Sequence, residues 1–395
     1  MNYNFDEVID RFHTYDMKWH GRAISAYLGF PIPDDMIPMW LADTEFACPP
    51  VIVDAVKERA AKRIYGYCTP MEDYYQAICR WQQKRFGWEI SPDWILPIPS
   101  VVAGINIAIR AFTDAQDGVI IQQPVYDPFE AIVNHTGRTL VVNQLLEQNG
   151  HFEINWAELE RLAADPKNTM MILCSPHNPV GRVWTQEELN RVIDLCARNQ
   201  VMLVSDEIHS DIVFSGHKHT PLLALDAKTA EHAILLSAPS KTFNVAGLKM
   251  SHAIIPGKSI RDAFLKTQVA YSLDVKNTFG IESTVAAYTP QGEEWLEQLL
   301  AYLEGNVQTV EDFLSQKLPK AHMIRPEGTF LCWLDLSDFG FTDEELLQKI
   351  IRQAGVICVP GPWFGRGGQG HMRLNIGCPR KMLLAALERI AAVLS

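Results

Sequence analysis

The sequence contains no run of ~18 uninterrupted apolar residues, which argues against a helical membrane span. It has no long Lys/Arg tract. Its 35 basic residues stand against 47 acidic ones, a net charge of −12, so phosphate backbones repel the chain and nucleic-acid binding is disfavoured. Its eight cysteines form no CxxC or paired CxxC/HxxxH spacing, which argues against zinc and against a disulfide framework. They read as free buried thiols of a protein in a reducing cytoplasm. The N-terminal residues are acidic and lack an apolar core segment, so no signal peptide is expected. Internal repeats, low-complexity tracts and Pro/Gly/Ser linkers are absent as well.

What is present is soluble globular composition. The chain has 395 residues, 47% of them apolar and 21% charged. That is material for two to three domains at ~100–200 residues each.

Six short segments rich in apolar and β-branched residues read as buried strands. They are Gly118–Gln123, Thr139–Gln144, Thr169–Ser175, Val201–Ser205, Ala233–Ser237 and His252–Ile255. Helical patterns separate several of them. The clearest is Thr185–Asn199, which opens with Thr185 and Glu188 as a capping box and places Leu189, Val192, Ile193 and Cys196 at helical spacing. Strand–helix alternation predicts an α/β fold with a mostly parallel sheet covered by helices on both faces.

The last hundred residues read differently. A long amphipathic helix over Glu294–Leu318 is stopped by Pro319. A strand at Thr329–Leu334, a helix near Thr342–Gly355 and a final helix from about Pro379 follow. The expected division is a large domain over 47–289 and a smaller α+β domain built from 1–46 with 290–395.

Chemistry-bearing residues gather at element ends. Lys241 follows the strand that ends at Ser237, with Ser240 before it and Lys249 after it. In open α/β sheets the ends of the strands are where ligands bind, although a Lys after a strand is more often a solvated side chain. Asp206 and His209 end another apolar run. An Asp there needs a partner or a helix to cap, and both readings stand. Asn178 sits in a turn after a third strand, where its amide could reach a cofactor oxygen, although plain turn chemistry is the commoner explanation. Val101 and Val102 open a helix whose free N–H groups suit an anion. Tyr126 follows a further strand and offers an aromatic face, or an ordinary core ring.

The order of these segments resembles the fold-type I pyridoxal-5′-phosphate enzymes of the class I/II aminotransferase superfamily, over essentially the whole chain. The Asn178-Pro179-Val180-Gly181, Asp206-Glu207-Ile208-His209 and Ser240-Lys241-Thr242-Phe243-Asn244 elements carry the likeness. Finer features resemble the MalY/PatB-type cystathionine β-lyase branch. These are Asp10-Arg11, Thr14 and Lys18-Trp19, the segment Pro38–Phe46, Tyr65-Gly66-Tyr67, Ala286-Ala287-Tyr288 and the run Arg373-Leu374-Asn375.

The resemblance implies a large domain with a mostly parallel sheet sandwiched by helices and pyridoxal 5′-phosphate as cofactor. Lys241 would be the Schiff-base lysine. Asp206 would pair with the pyridine nitrogen, Asn178 with the ring oxygen, and Tyr126 would stack on the ring. The backbone at Val101 and Val102, with Ser237 or Ser240, would hold the phosphate. His209 stands where many aminotransferases have Tyr, as in the lyase branch, and counts among the cofactor-binding positions. Tyr67 would reach the phosphate of a neighbouring subunit, which makes the protein a homodimer with shared active sites. Arg373 would pair bidentately with the α-carboxylate of a small amino-acid substrate, a geometry that suits guanidinium. Lys249 replaces an Arg common at its position, which leaves its phosphate contact open. Asp43-Thr44-Glu45 replaces the usual Asp-Met-Asp. The implied reaction is carbon–sulfur β-cleavage of L-cystathionine or a related cysteine S-conjugate to a thiol, pyruvate and ammonia. The same lysine, acid and phosphate cup serve the alternative, an aminotransferase. A regulatory or binding protein on the same fold is the third reading.

Overall fold

The computed structural model describes residues 2–148, 150–226 and 230–394. Seven strands form its main sheet: β1 (Ile95–Ile98), β2 (Gly118–Gln123), β3 (Thr139–Gln144), β4 (Asn168–Cys174), β5 (Met202–Asp206), β6 (Ala233–Ser237) and β7 (Ser251–Ile254). Their spatial order is β1-β7-β6-β5-β4-β2-β3. From β6 across to β3 every pair is parallel. β7 alone runs against both its neighbours.

The apolar strand runs follow from burial on both faces. Side chains alternate across a strand. Val119, Ile121, Met170, Ile172, Val204, Ile234 and Leu236 therefore pack into one apolar cluster. Ile120, Met171, Leu173, Leu203 and Leu235 pack into another on the opposite face. Helix α1 (Val101–Phe112) covers the first face through Ile105, Ala108 and Ile109. Helix α2 (Gln186–Arg198) covers the second through Leu189, Val192, Ile193 and Cys196. Both halves of the expected Thr185/Glu188 capping box are made. The fold class is thus the expected α/β sandwich.

The sequence reading missed β1. Ile95-Leu96-Pro97-Ile98 is short and contains a proline, which normally argues against a strand. β1 is an edge strand paired only with β7, and an edge tolerates Pro. Three expected strands are shifted by one residue; β5 reaches Asp206, which therefore sits on the strand itself.

A second sheet has four strands, all antiparallel: β8 (His322–Met323), β9 (Leu331–Asp335), β10 (Val359–Pro360) and β11 (His371–Asn375), in the order β8-β9-β11-β10. Helix α3 (Pro290–Lys317) begins earlier than expected because Thr289 caps it and Pro290 fills the first helical position. Helix α4 (Arg380–Leu394) closes the chain. The expected helix near Thr342–Gly355 is split: an α-turn segment Asp343–Leu347 is followed by a wider π segment, Gln348–Gln353. Ile37–Pro38, from the N-terminal region, pairs in parallel with Val356–Ile357. No helix among the described residues is long and apolar enough to cross a membrane.

Candidate active site

The ends of β4, β5 and β6 and the start of α1 converge on one cavity of about 350 Å³. This is the crevice beyond the carboxyl ends of parallel strands, where open sheets place ligands. α1 reaches it because Gly104 lets the helix lie close on the sheet. A Cβ there would come within 2.7 Å of Ile98 Cδ1 and 2.9 Å of Leu236 Cδ2. Ser100 caps the helix by accepting from Ala103 N–H at 3.1 Å. The first N–H groups of the helix, at Val101 and Val102, have no intrahelical partner and face the cavity.

Asp206, the last residue of β5, is buried on the cavity wall. Burial pushes its carboxyl up to about 7; the Ile208 N–H at 3.1 Å and the charge of Lys241 oppose that shift. Among the described residues no cation pairs with it within ion-pair distance. His209 is buried nearby, with its ring edge-on to Phe330 at 5.7 Å. Burial lowers it to about 3, helped by the charges of Lys241 and Arg373, and its Nδ1 has no hydrogen-bond partner. It is a neutral ring at neutral pH.

Lys241 follows β6. Its Nζ donates to the carbonyl of Ala42 at 2.6 Å. Burial lowers its pKa to about 8; Asp43 and Asp206 oppose that shift, while Arg373 and Lys18 add to it. A lysine poised there is partly neutral near physiological pH, the state that a nucleophile or proton acceptor requires.

Asn178 lies in the loop after β4. Its carbonyl accepts from Tyr126 N–H at 3.1 Å, and its Oδ1 accepts from Arg373 Nη1 at 3.1 Å. Gly181 closes that loop at φ +73°, with Pro326 so near that a Cβ would meet it at 2.6 Å. Tyr126 lies on the cavity wall, and burial raises its phenol to about 12, so it stays protonated. Arg373, on β11, also donates through Nη2 to the Trp40 carbonyl at 2.6 Å and lies 4.9 Å over the Phe364 ring; its Nε is buried without a partner.

The cavity therefore brings together Lys241, Asp206, Asn178, Tyr126, His209, Ser240, Val101 and Val102. Arg373 joins them through Asn178. Between the two candidate serines, Ser240 lines the cavity, whereas Ser237 lies outside its wall and turns its hydroxyl to the Glu207 carbonyl at 3.4 Å. Tyr67 lies apart, fully exposed on this chain. Ser100, Ser251 and Lys249 also line the cavity. Sequence reasoning does not single out Ser251, which carries no motif.

These residues fit a phosphorylated pyridine aldehyde. The buried Asp206 lacks a cationic partner that a ring N–H would provide. The helix start, the serine hydroxyls and Lys249 line the same cavity and can receive an anion, and Lys241 lines it as well.

The aminotransferase class I and II family model matches residues 39–390. Cystathionine beta-lyase PatB of Bacillus subtilis is 42% identical over 392 residues, covering 99% of this chain and 100% of the relative. Cystalysin of Treponema denticola, whose crystal structure contains a pyridoxal 5′-phosphate cofactor, superposes with a TM-score of 0.95 at 34% identity, over 100% of this chain and 99% of that one. The pyridoxal-phosphate-bound C-S lyase of Staphylococcus hominis, in complex with L-cycloserine, gives a TM-score of 0.93 at 34% identity with the same coverage. On this match of sequence and fold, the chain belongs to the aminotransferase class I and II family.

Proposed function

We propose that this protein is a pyridoxal-5′-phosphate-dependent carbon–sulfur β-lyase that cleaves L-cystathionine or a related cysteine S-conjugate to a thiol, pyruvate and ammonia. The observation that carries the reading is that a buried, cation-free Asp206 and a half-buried Lys241 line one cavity, in a chain with full-length C–S lyase relatives.

Lys241 would hold the cofactor through Nζ, Asp206 would face the ring nitrogen, Asn178 the ring oxygen, and Tyr126 a ring face. The start of α1 with Ser240 would hold the phosphate. When bound, the cofactor supplies the electron sink that stabilises negative charge on the substrate's α-carbon. The chain's own residues do the rest. Arg373 binds and orients the α-carboxylate, for which its unpartnered Nε is available. Lys241, freed at Nζ, takes the α-proton; its lowered pKa makes it a base near neutral pH. The β-carbon–sulfur bond then breaks and the sulfur leaves with its electron pair. Lys241 then returns a proton to that sulfur. His209 stays neutral and adds no competing charge beside Asp206.

A homodimer is part of the proposal. Ile64, Tyr65, Tyr67 and Met71 form an exposed apolar row, which supports cover by a second copy and entry of Tyr67 into its partner's site. The eight unpaired cysteines support a cytoplasmic setting.

The test is an end-product assay of the purified holoenzyme with L-cystathionine. Pyruvate, ammonia and homocysteine formed without added keto acid are expected. Turnover that appears only with a keto acid would make the protein an aminotransferase and overturn the lyase reading.

A further inference from the structure

The segment Trp40–Phe46 carries a row of backbone carbonyls, and side chains from distant elements hold nearly all of them. Arg373 Nη2 takes the Trp40 carbonyl at 2.6 Å, and Lys241 Nζ takes that of Ala42 at 2.6 Å. Asn375 Nδ2 takes those of Leu41 and Asp43, at 2.6 and 2.7 Å. Asn244, three residues after Lys241, takes those of Thr44 and Phe46 at 2.9 and 3.0 Å, and accepts the Thr44 N–H at 3.1 Å. One short segment thus touches both the lysine and the arginine of the site.

Two cations from the N-terminal region, Lys18 and Arg11, clamp this segment through its own Asp43 and Glu45. Lys18, 1% exposed, pairs with Glu45 Oε1 at 2.7 Å and Asp43 Oδ1 at 3.2 Å, and donates to the Asp43 carbonyl at 2.9 Å. Arg11 pairs with Asp43 at 2.9 Å and Glu45 at 3.0 Å, and reaches the Thr44 carbonyl at 3.2 Å. Trp19 Nε1 donates to Glu45 Oε2 at 2.9 Å. Lys18 is buried and Arg11 half-buried, and Arg11 also holds Asp16 at 2.7 Å from outside the segment; deleting Lys18 or Glu45 leaves a buried charge short of its partner. None of the four lies in the cavity wall.

We propose that Lys18, Arg11, Asp43 and Glu45 are positioning residues: they set the Trp40–Phe46 segment, and through its carbonyls the placement of Lys241 and Arg373. The inference rests on the Lys241 and Arg373 roles proposed above. It goes beyond them by assigning work to an N-terminal cluster that touches neither substrate nor cofactor.

The experiment compares the wild-type holoenzyme with Lys18→Met and Glu45→Gln. It measures kcat and KM for L-cystathionine, and the pH midpoint of the cofactor's visible absorbance. Lys241 is faced by Asp43, Asp206, Arg373 and Lys18. Removing the Lys18 cation leaves Asp43 less compensated, so the midpoint is expected to rise by about one pH unit, with KM up about tenfold or more. Removing the Glu45 charge leaves Lys18 less compensated, so the midpoint is expected to fall, by about half a unit. Opposite shifts are something a general loss of packing does not produce. If Lys18→Met does not fold, the near-isosteric Glu45→Gln carries the test alone. Folded variants whose midpoint stays within about 0.2 units and whose KM stays within about twofold of wild type would overturn the proposal, as would shifts of the same sign. A wild-type protein that binds the cofactor yet lacks a lysine-dependent absorbance band would instead overturn the Lys241 assignment itself.

Discussion

Arg373 Nη1 donates to Asn178 Oδ1 across 3.1 Å, although the two residues lie 195 positions apart in the chain. The bond ties a strand of the four-stranded sheet to the loop after β4. It places the guanidinium beside the residue expected to face the cofactor's ring oxygen, and under the proposed roles it would register substrate carboxylate against ring. A planar fork can keep Asn178 and the Trp40 carbonyl while presenting further N–H groups; a lysine ammonium cannot. Arg373→Lys is expected to raise KM for L-cystathionine by about 10–100-fold while cofactor binding persists. Steady-state kinetics with cofactor absorbance reads this, and an unchanged KM would remove Arg373 from the carboxylate site.

Lys241→Ala is expected to abolish turnover in a protein that folds normally, since both the covalent anchor and the base are lost. The end-product assay decides it. Full activity in that variant would end the assignment.

Asp206 makes a prediction about pH in the cofactor-free protein. Its folded pKa, about 7, lies above the ordinary carboxylate value of 3.8 because burial favours the neutral acid. A raised pKa contributes stability that is fully present below the unfolded value and is lost as pH rises through the folded value. Wild-type stability relative to Asp206→Asn should therefore fall between about pH 4 and pH 7, by up to about 1.4 kcal/mol per pH unit, and then level off. Urea denaturation of both proteins at several pH values checks it; a difference that is flat with pH contradicts the buried-acid description.

Gly104→Ala tests the seating of α1. The added methyl meets the flexible ends of Ile98 and Leu236, so the helix must lift slightly. A cost of about 1–3 kcal/mol is expected, together with weaker cofactor binding, because the Val101 and Val102 N–H groups move with the helix. Thermal denaturation and a cofactor titration read the two effects, and undiminished cofactor affinity would argue that the helix start is not the phosphate cup.

Glu327 anchors the Asn178 loop from outside the cavity. Its Oε2 accepts from Arg182 Nε at 3.1 Å and from Val183 N–H at 2.7 Å, while Arg182 also pairs with Glu188 at 2.9 Å. Glu327→Ala leaves a buried guanidinium short of a partner and is expected to cost about 3–5 kcal/mol. Chemical denaturation measures it; a loss under about 1 kcal/mol would show that Glu188 and the Phe152 carbonyl satisfy Arg182 without Glu327.

Much of this molecule is legible in its sequence, for local reasons. Short runs rich in apolar and β-branched residues announce β2 to β7 through composition alone, and the Thr185/Glu188 pair announces α2 because a cap is a short-range hydrogen bond. Lys241, Asp206, Asn178 and Tyr126 stand at or just past the ends of strands that the sequence marks, but the sheet order, with β4 beside β2 and not β3, brings those ends together. The tertiary structure decided the rest. β1 exists because an edge admits Pro97. The choice of Ser240 over Ser237 depends on which way a chain turns after β6. The clamp of Arg11 and Lys18 on Asp43 and Glu45, and the carbonyls of Trp40 and Ala42 that receive Arg373 and Lys241, depend on contacts between residues far apart in the chain. A backbone carbonyl is the same group in every residue, so its partner leaves no mark on the sequence and is chosen only when the folded chain brings a donor to it.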